Sequence, residues 1–244
     1  MQKPIEIKVD NQSIRGILEN PNSDKLIILV HGFSGNMHGP NNIFDKLSQR
    51  LQENGIAVLR FNFRGTKPSD MEQQEMTIES ETADLKAAIK FAKSYGFKKI
   101  GALGESMGGT VLVNAYELSL AVLIFWYAAF DLIDTAFREL FTKKAQKELA
   151  EKGLIEMWDF RIGKKFVEEI KNVKLYDKMK EIHCPILFLH GDSDADVPCE
   201  QSKKAFQLAN EPKELHIIKG ADHCFKNEQD EAIELTLNFL KRYF

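Results

Sequence analysis

The sequence predicts an α/β protein in which helices cover both faces of a doubly wound, mostly parallel sheet and a helical cap is inserted. Two observations predict the sheet. Short apolar runs alternate with stretches of helical periodicity along the 244 residues, and most runs are apolar at nearly every position, as in strands buried on both faces. A third observation predicts the cap, because residues 131–182 separate two strand candidates by more than one crossover helix requires.

The first two apolar runs are predicted to form an antiparallel hairpin, since IEIKVD (5–10) and IRGILE (14–19) flank a polar turn at 10–12. The later runs are continuous or nearly so, and they predict six parallel strands. These six are KLIILVHG (25–32), IAVLRFNF (56–63), KKIGALGE (98–105), LAVLIFWYAA (120–129), CPILFLHG (184–191) and ELHIIKGADH (214–223).

Helical periodicity between the strands predicts two helices that each end at a glycine, the residue that best suits a helix C-terminus. The apolar positions are Ile43, Phe44, Leu47 and Leu51 before Gly55, and Ile78, Leu85, Ile89 and Ala92 before Gly96.

The inserted segment contains two amphipathic stretches, DTAFRELFTKKAQKELAEKG (134–153) and WDFRIGKKFVEEIKNVKLYDKMKE (158–181). We therefore expect a core domain formed by residues 1–130 and 183–244 and a helical cap at 131–182. Apolar cap residues are expected to cover the functional site; they are Phe137, Leu140, Phe141, Trp158 and Phe166. The alternative is two ordinary helices that lie on the sheet.

Composition excludes several classes of function. The formal net charge of −3 and the pI near 6.1 give no basic surface of the kind that neutralises nucleic-acid phosphates. No segment approaches the roughly 18 apolar residues that span a bilayer, and the first residues lack the apolar stretch of a signal peptide. A cytoplasmic protein is therefore expected. The odd set of Cys184, Cys199 and Cys224 favours neither a disulfide framework nor a zinc site.

The stretch GALGESMGGT (101–110) predicts a catalytic serine. Ser106 follows a strand, precedes a helix that begins near Met107, and lies between Gly104 and Gly108. Strand, GxSxG and helix in this order predict a nucleophile elbow, whose tight turn excludes bulky neighbours. The free N–H groups of the helix would point toward a developing oxyanion.

A serine nucleophile needs a histidine base, and His223 is the best candidate. It follows the last predicted strand, and in open α/β sheets catalytic groups collect at the carboxyl ends of the strands. His183 and His216 are interpreted as structural residues, and His190, in the HG pair that begins a loop, is interpreted as a hydrogen-bonding turn residue. His38 lies after HGFSG, where it could line the mouth of the pocket.

The acid is expected in HGDSDADVP, which offers Asp192, Asp194 and Asp196. An EF-hand calcium loop would need glycine and glutamate where Val197 and Lys203 stand, so calcium is disfavoured. The chain order of serine, acid and histidine is the order of α/β-hydrolases.

With these motifs, the sequence resembles the α/β-hydrolase superfamily over nearly its whole length. It is most similar to capped serine esterases that include monoacylglycerol lipases and cinnamoyl or feruloyl esterases. The resemblance is carried by LVHGFSG (29–35), FNFRG (61–65), GESMGG (104–109), LHGDSDADVP (189–198) and GADHCF (220–225). FRGTKPSD (63–70) departs from it, because relatives carry a glycine-rich RGHGxS turn there.

The resemblance implies a role for five residues and no metal or other cofactor. Ser106 would be the nucleophile, Asp194 the acid and His223 the general base, and the backbone N–H groups of Phe33 and Met107 would form the oxyanion hole. Asp192 and Asp196 are interpreted as turn-capping or solvated carboxylates.

The predicted function is a serine carboxylic-ester hydrolase that forms an acyl-enzyme with small to medium apolar or aromatic acyl esters. Thioesterase, monoacylglycerol lipase and peptidase activities of the same fold are alternatives within the class. The alternative from another class is a catalytically silent binding protein, since a fold does not imply its function. The expected partner is a small-molecule ester, without nucleic acid or a membrane span, and the sequence leaves open whether the chain forms a homo-oligomer.

Overall fold

The computed structural model describes residues 2–244 and contains a large mixed β-sheet. In chain order, the strands of the protein are β1 (Gln2–Val9), β2 (Gln12–Glu19), β3 (Lys25–Val30), β4 (Ala57–Asn62), β5 (Lys99–Glu105), β6 (Leu120–Trp126), β7 (Leu154–Met157), β8 (Phe160–Gly163), β9 (Ile186–Gly191) and β10 (Lys213–Ile218). Eight of them form one sheet in the order β1-β2-β4-β3-β5-β6-β9-β10, and β7 and β8 form a separate pair.

Strand pairing confirms the predicted fold class. β1 and β2 form the expected antiparallel hairpin, and β2 also pairs antiparallel with β4. All other neighbours in the large sheet are parallel, from β4 across to β10. The result is the mostly parallel sheet that is typical of α/β-hydrolases.

Within the described part of the chain, seven α-helices connect and cover the strands: α1 (Ile43–Glu53), α2 (Ile78–Tyr95), α3 (Met107–Ala115), α4 (Lys143–Lys152), α5 (Lys164–Ile170), α6 (Glu200–Leu208) and α7 (Gln229–Tyr243). The predicted end of α2 at Gly96 is confirmed, because this glycine adopts a left-handed φ of 108° at the C-cap. Among residues 2–244, no helix is both long and apolar enough to cross a bilayer.

Alternation along β3 shows how the sheet is buried on both faces. Ile27 and Leu29 pack in one apolar cluster with α1 and α7, whereas Leu26, Ile28 and Val30 pack in another with α2, α3 and α6. Because successive side chains of a strand point to opposite faces, a strand between two helical layers must be apolar at every position.

The predicted helical cap is wrong in part, because residues 131–182 are not only helical. The first amphipathic stretch forms a 3₁₀ helix (Ala136–Phe141) and α4, separated at Thr142, whose side chain caps α4. The second stretch begins with β8, which pairs with β7 through a turn at Trp158 and Asp159, both at positive φ. Gly163 lies so close to Gln74 that a Cβ would come within 1.9 Å of its carbonyl oxygen. Contact with the sheet domain therefore favours an extended chain here.

Candidate active site

The backbone at Ser106 is strained, and the tight turn is possible because two nearby residues are glycines. Ser106 has φ 49° and ψ −125° at the junction of β5 and α3, a region that few non-glycine residues adopt. A Cβ on Gly104 would lie 2.6 Å from the Gly108 carbonyl oxygen, and one on Gly108 would lie 2.5 Å from the Val30 carbonyl oxygen. The absence of side chains at both glycines therefore lets α3 pack directly against β5 and β3.

The structure brings Ser106, His223 and Asp194 together in one hydrogen-bonded row. The His223 Nε2 atom lies 3.0 Å from the Ser106 Oγ atom, and His223 Nδ1 lies 2.7 Å from Asp194 Oδ2. Asp194 follows β9 and His223 follows β10, and the carboxyl ends of parallel strands share one edge of the sheet. The Asp194 side chain is fully buried and that of His223 is 16% exposed.

The hydrogen-bond partners of His223 determine which of its ring nitrogens carries the proton. An ionised Asp194 only accepts hydrogen bonds, so the neutral imidazole carries its proton on Nδ1 and leaves Nε2 free to accept from the Ser106 hydroxyl. Burial alone would raise the pKa of Asp194, but hydrogen bonds from His190 and His223 outweigh burial and hold that pKa well below its usual range. Asp194 therefore stays ionised at neutral pH.

His190 holds the Asp194 carboxylate, a contact that the sequence interpretation did not include. Its Nε2 atom lies 3.1 Å from Asp194 Oδ2 and 3.0 Å from the Val197 carbonyl oxygen. Both partners are acceptors, so Nε2 carries a proton, and Nδ1 lies 2.7 Å from the Ser202 hydroxyl oxygen. The amides of Asp196 and Val197 donate to the other carboxylate oxygen at 2.9 Å each. Asp194 is therefore held at both oxygens.

Two backbone amides beside Ser106 suit the stabilisation of an oxyanion. Met107 is the first residue of α3, so its amide has no acceptor within the helix. Within residues 2–244, the amides of Phe33 and Met107 donate to no other group of the chain. Gly32 lies so close that a Cβ there would be 2.9 Å from the Ser106 Cβ atom. The chain at Gly32 and Phe33 therefore runs directly against the serine.

Glu105 is a second residue that the sequence interpretation missed. Its buried carboxylate accepts a hydrogen bond from the Gly32 amide at 3.1 Å and another from the Tyr127 hydroxyl at 2.5 Å. Burial raises the pKa of Glu105, and these two donors limit the rise. Burial also raises the pKa of Tyr127 well above its ordinary value, so its phenol stays a donor. Glu105 thereby ties β5 to the loop that carries Phe33. A glutamate adjacent to the nucleophile in GESMGG was the available signal.

We expect Glu105→Leu to lower both stability and turnover. The variant leaves the buried Gly32 amide without its acceptor, which costs about 1–3 kcal/mol of unfolding free energy, and it releases the loop that carries the Phe33 amide. Glu105→Gln keeps an oxygen for Gly32 and should recover most of both losses. Urea unfolding and kcat for a small ester measure them. Equal urea midpoints and equal kcat values for Glu105→Leu and the native protein would contradict this role.

The remaining candidates lie outside the hydrogen-bonded row. The Asp192 carboxylate accepts from the Gly220 amide at 2.6 Å, which agrees with its interpretation as a turn-capping residue. His38 pairs with Asp45 rather than lining the pocket mouth. His183 is exposed and His216 is partly exposed beside Glu214.

A cavity of about 270 Å³ opens beside Ser106 and His223. Of the cap residues expected to cover Ser106, Phe137 and Trp158 line this cavity. Leu140, Phe141 and Phe166 do not; Leu140 and Phe166 are fully buried in an apolar cluster that the segment shares with core residues such as Met107 and Val197. The cavity is lined by Phe33, Ser34, Ser106, Ala129, Thr135, Ala136, Phe137, Trp158, Asp196, Val197 and His223.

Comparison with known proteins finds a matching family, curated relatives that include a thioesterase, and solved structures of the same fold. The family described as "Prolyl oligopeptidase family" matches residues 43–244. The palmitoyl-protein thioesterase ABHD10 of Mus musculus is 26% identical over 84% of the chain and 70% of its own length. YfhR of Salmonella typhi, named as uncharacterized, is 23% identical over 83% of the chain, which spans 65% of YfhR. The solved structure of Est1E from Butyrivibrio proteoclasticus with ferulic acid bound superposes with a TM-score of 0.85 at 23% identity, covering 98% of both chains.

Proposed function

The chain belongs to the prolyl oligopeptidase family and is a serine hydrolase of the α/β-hydrolase fold, and from this premise we propose that it hydrolyses carboxylic esters of small to medium apolar or aromatic acyl groups. The observation that carries the proposal is the unbroken row from Ser106 through His223 to Asp194, with separations of 3.0 Å and 2.7 Å. Such a row makes a hydroxyl nucleophilic at neutral pH.

The proposed reaction has two halves. His223 Nε2 takes the Ser106 proton as Oγ attacks the acyl carbonyl, and Asp194 stabilises the imidazolium that forms. The amides of Phe33 and Met107 donate to the tetrahedral oxyanion, and the imidazolium then protonates the departing alcohol. Water, deprotonated by His223, attacks the acyl-enzyme and releases the acid in the same way.

The cavity supports the proposed size class of substrate. Its volume of about 270 Å³ is small, and apolar rings from Phe33, Phe137 and Trp158 form much of its wall. We propose that segment 131–182 acts as a cap that limits the length of the group bound there. Long-chain triglycerides would then be poor substrates.

Labelling with a fluorophosphonate and a series of p-nitrophenyl esters test this proposal together. We expect labelling at Ser106. We also expect kcat/KM to rise with acyl length until the cavity is full, because each buried methylene should lower the activation free energy by about 0.8 kcal/mol. Trp158→Ala should move the optimum to longer chains, because this half-exposed ring lines the cavity. A folded protein that neither labels nor hydrolyses any ester would instead be a silent binding protein. An optimum unchanged in Trp158→Ala would show that the cap does not select the acyl group.

The pH dependence follows from His223. Burial alone would lower the pKa of His223, but the hydrogen bond and charge of Asp194 outweigh burial and raise it above its ordinary value of about 6.5. Only neutral His223 accepts the serine proton, so kcat/KM for a neutral ester should rise with pH to a plateau, with its midpoint above 6.5. Initial rates in a pH-stat measure the profile. A midpoint clearly below 6.5 would contradict this environment for His223.

A thioesterase is the second candidate, and the similarity to ABHD10 favours it. The same row of residues would attack a thioester, whose thiolate leaves more readily than an alkoxide. Paired oxygen and sulfur esters with one acyl group separate the two candidates. A kcat/KM ratio that favours the sulfur ester far beyond the ratio of their uncatalysed hydrolysis rates would assign the thioesterase.

A further inference from the structure

The cavity beside Ser106 contains a carboxylate that the proposed reaction does not use. Asp196 lines this cavity, and its backbone is fixed at both ends. Its amide donates to Asp194 Oδ1 at 2.9 Å, and its carbonyl oxygen accepts from the Ala136 amide at 2.9 Å. Within residues 2–244, Asp196 makes hydrogen bonds through its backbone alone. Its exposed carboxylate has no hydrogen-bond donor or cationic partner there. The backbone bonds fix where the side chain of Asp196 begins, and a carboxylate without a partner is available to a ligand.

Apart from the titratable His223, the described lining of the site contains no cationic side chain near Asp196. The described residues that line the cavity include neither lysine nor arginine. A second cavity, of about 410 Å³, also borders Ser106 and His223; its described lining includes Glu105 and again no lysine or arginine. A cleft lined by charge of one sign concentrates ligands of the opposite sign. The surroundings of Ser106 therefore favour a positively charged substrate and oppose an anionic one.

Three aromatic rings stand in the same cavity as Asp196. The ring centroid of Phe33 lies 5.0 Å from that of Phe137 and 6.0 Å from that of Trp158, and the latter two lie 5.9 Å apart. Phe33 is inclined at 86° to Phe137 and at 70° to Trp158, so the Phe33 ring is coplanar with neither. Aromatic faces attract ammonium groups, and they do so most strongly where water is partly excluded.

We propose that this cavity selects esters that carry an ammonium group a few bonds from the scissile carbonyl. Asp196 would be its ionic partner, and the three rings would form its wall. The inference rests on the proposed ester hydrolysis at Ser106 and adds the charge of the substrate to it. It also predicts that esters with an anionic group at the same position react poorly.

The test uses pairs of esters that differ only in charge. Butyrylcholine and 3,3-dimethylbutyl butyrate place a quaternary nitrogen or carbon in the alcohol. Methyl 4-(trimethylammonio)butanoate and methyl 5,5-dimethylhexanoate place it in the acyl group. The two pairs thus cover either orientation of substrate in the cavity. In at least one pair, we expect the cationic ester to have a kcat/KM about tenfold higher, and we expect Asp196→Asn to bring that ratio near one.

Asp159→Asn is the matched control. Asp159 is an exposed carboxylate beside Trp158 on the β7–β8 turn, outside the lining of the cavity, and asparagine tolerates its positive φ of 59°. This variant should retain the charge preference, whereas a general effect of surface charge would reduce the preference in both variants. Ratios are compared at a pH on the plateau, where a change in His223 affects both esters of a pair equally.

The outcomes distinguish the inference from the proposed function. Neutral esters that are hydrolysed with both ratios near one, or a preference that persists in Asp196→Asn, would overturn the inference and leave the esterase standing. Loss of the preference in Asp159→Asn as well would also overturn it. If no ester of either pair reacts and fluorophosphonate does not label Ser106, the proposed function itself fails.

Discussion

Ser106→Ala is expected to remove nearly all ester hydrolysis, a loss on the order of 10⁵- to 10⁶-fold in kcat. Alanine has no oxygen to attack the carbonyl, so only the catalysis due to binding and the oxyanion donors remains. The fold should survive, because the Ser106 backbone keeps its bonds to Trp126 at 3.0 Å and to Ala129 at 3.1 Å. Initial rates with p-nitrophenyl butyrate, together with circular dichroism, measure both. Retention of more than about a tenth of native activity would exclude Ser106 as the nucleophile, given the losses seen for such serines.

Two further variants sharpen this experiment. Ser193→Ala removes an exposed hydroxyl from the loop that carries Asp194, with only a weak bond to Asp192 at 3.3 Å, and should retain activity. The double variant Ser106→Ala, His223→Ala should be no slower than Ser106→Ala alone, because residues that act as one unit have non-additive effects. An additional large loss in the double variant would mean that His223 acts independently of the serine.

Asp194→Asn is expected to lower kcat by about 10⁴-fold while the protein stays folded. The amide nitrogen of asparagine would donate to His223 Nδ1, which moves the imidazole proton to Nε2. Nε2 could then no longer accept the proton of Ser106, although it lies 3.0 Å from Oγ. The loss should appear in kcat for a neutral ester, and thermal unfolding shows whether the variant is folded.

Asp192→Asn is the matched control on the same loop. The Asp192 carboxylate accepts a hydrogen bond from the Gly220 amide, and asparagine retains an oxygen for that bond. We expect a change of less than tenfold in kcat, since Asp192 makes no hydrogen bond to His223 among the described residues. Comparable losses of activity in Asp192→Asn and Asp194→Asn would mean that the loop as a whole, rather than the Asp194 carboxylate, supports His223.

The features that the sequence predicted well are those with a local physical cause. A strand covered on both faces must be apolar throughout, so runs such as KLIILVHG identify the parallel sheet. The tight turn at Ser106 cannot accommodate side chains at Gly104 or Gly108. These two glycines of GESMGG therefore indicate this turn in the sequence itself. The end of α2 was also predictable from one residue, because Gly96 adopts a φ of 108° that suits glycine.

The hairpin of β7 and β8 was not predicted, because its local signals are weak. Each strand has only four residues, and its turn residues, Trp158 and Asp159, are not the glycine and asparagine that usually mark such turns. Lysine-rich stretches on both sides favour helix. The hairpin is decided by packing against the sheet domain, which the close approach of Gly163 to Gln74 reflects.

By itself, the sequence determined the α/β class, the strand order along the chain and the short set of residues from which a catalytic serine, acid and histidine could be chosen. Only the tertiary structure decided how these side chains meet. Ser106 and His223 are 117 residues apart, and Glu105 and Gly32 are 73 apart, so no local pattern encodes their contacts. The tertiary structure also decided that, of the three aspartates in HGDSDADVP, it is Asp194 that contacts His223, while Asp196 lines the cavity. The physical reason is that a side chain's direction depends on the backbone torsions of its loop and on the groups packed around it, which distant parts of the chain supply.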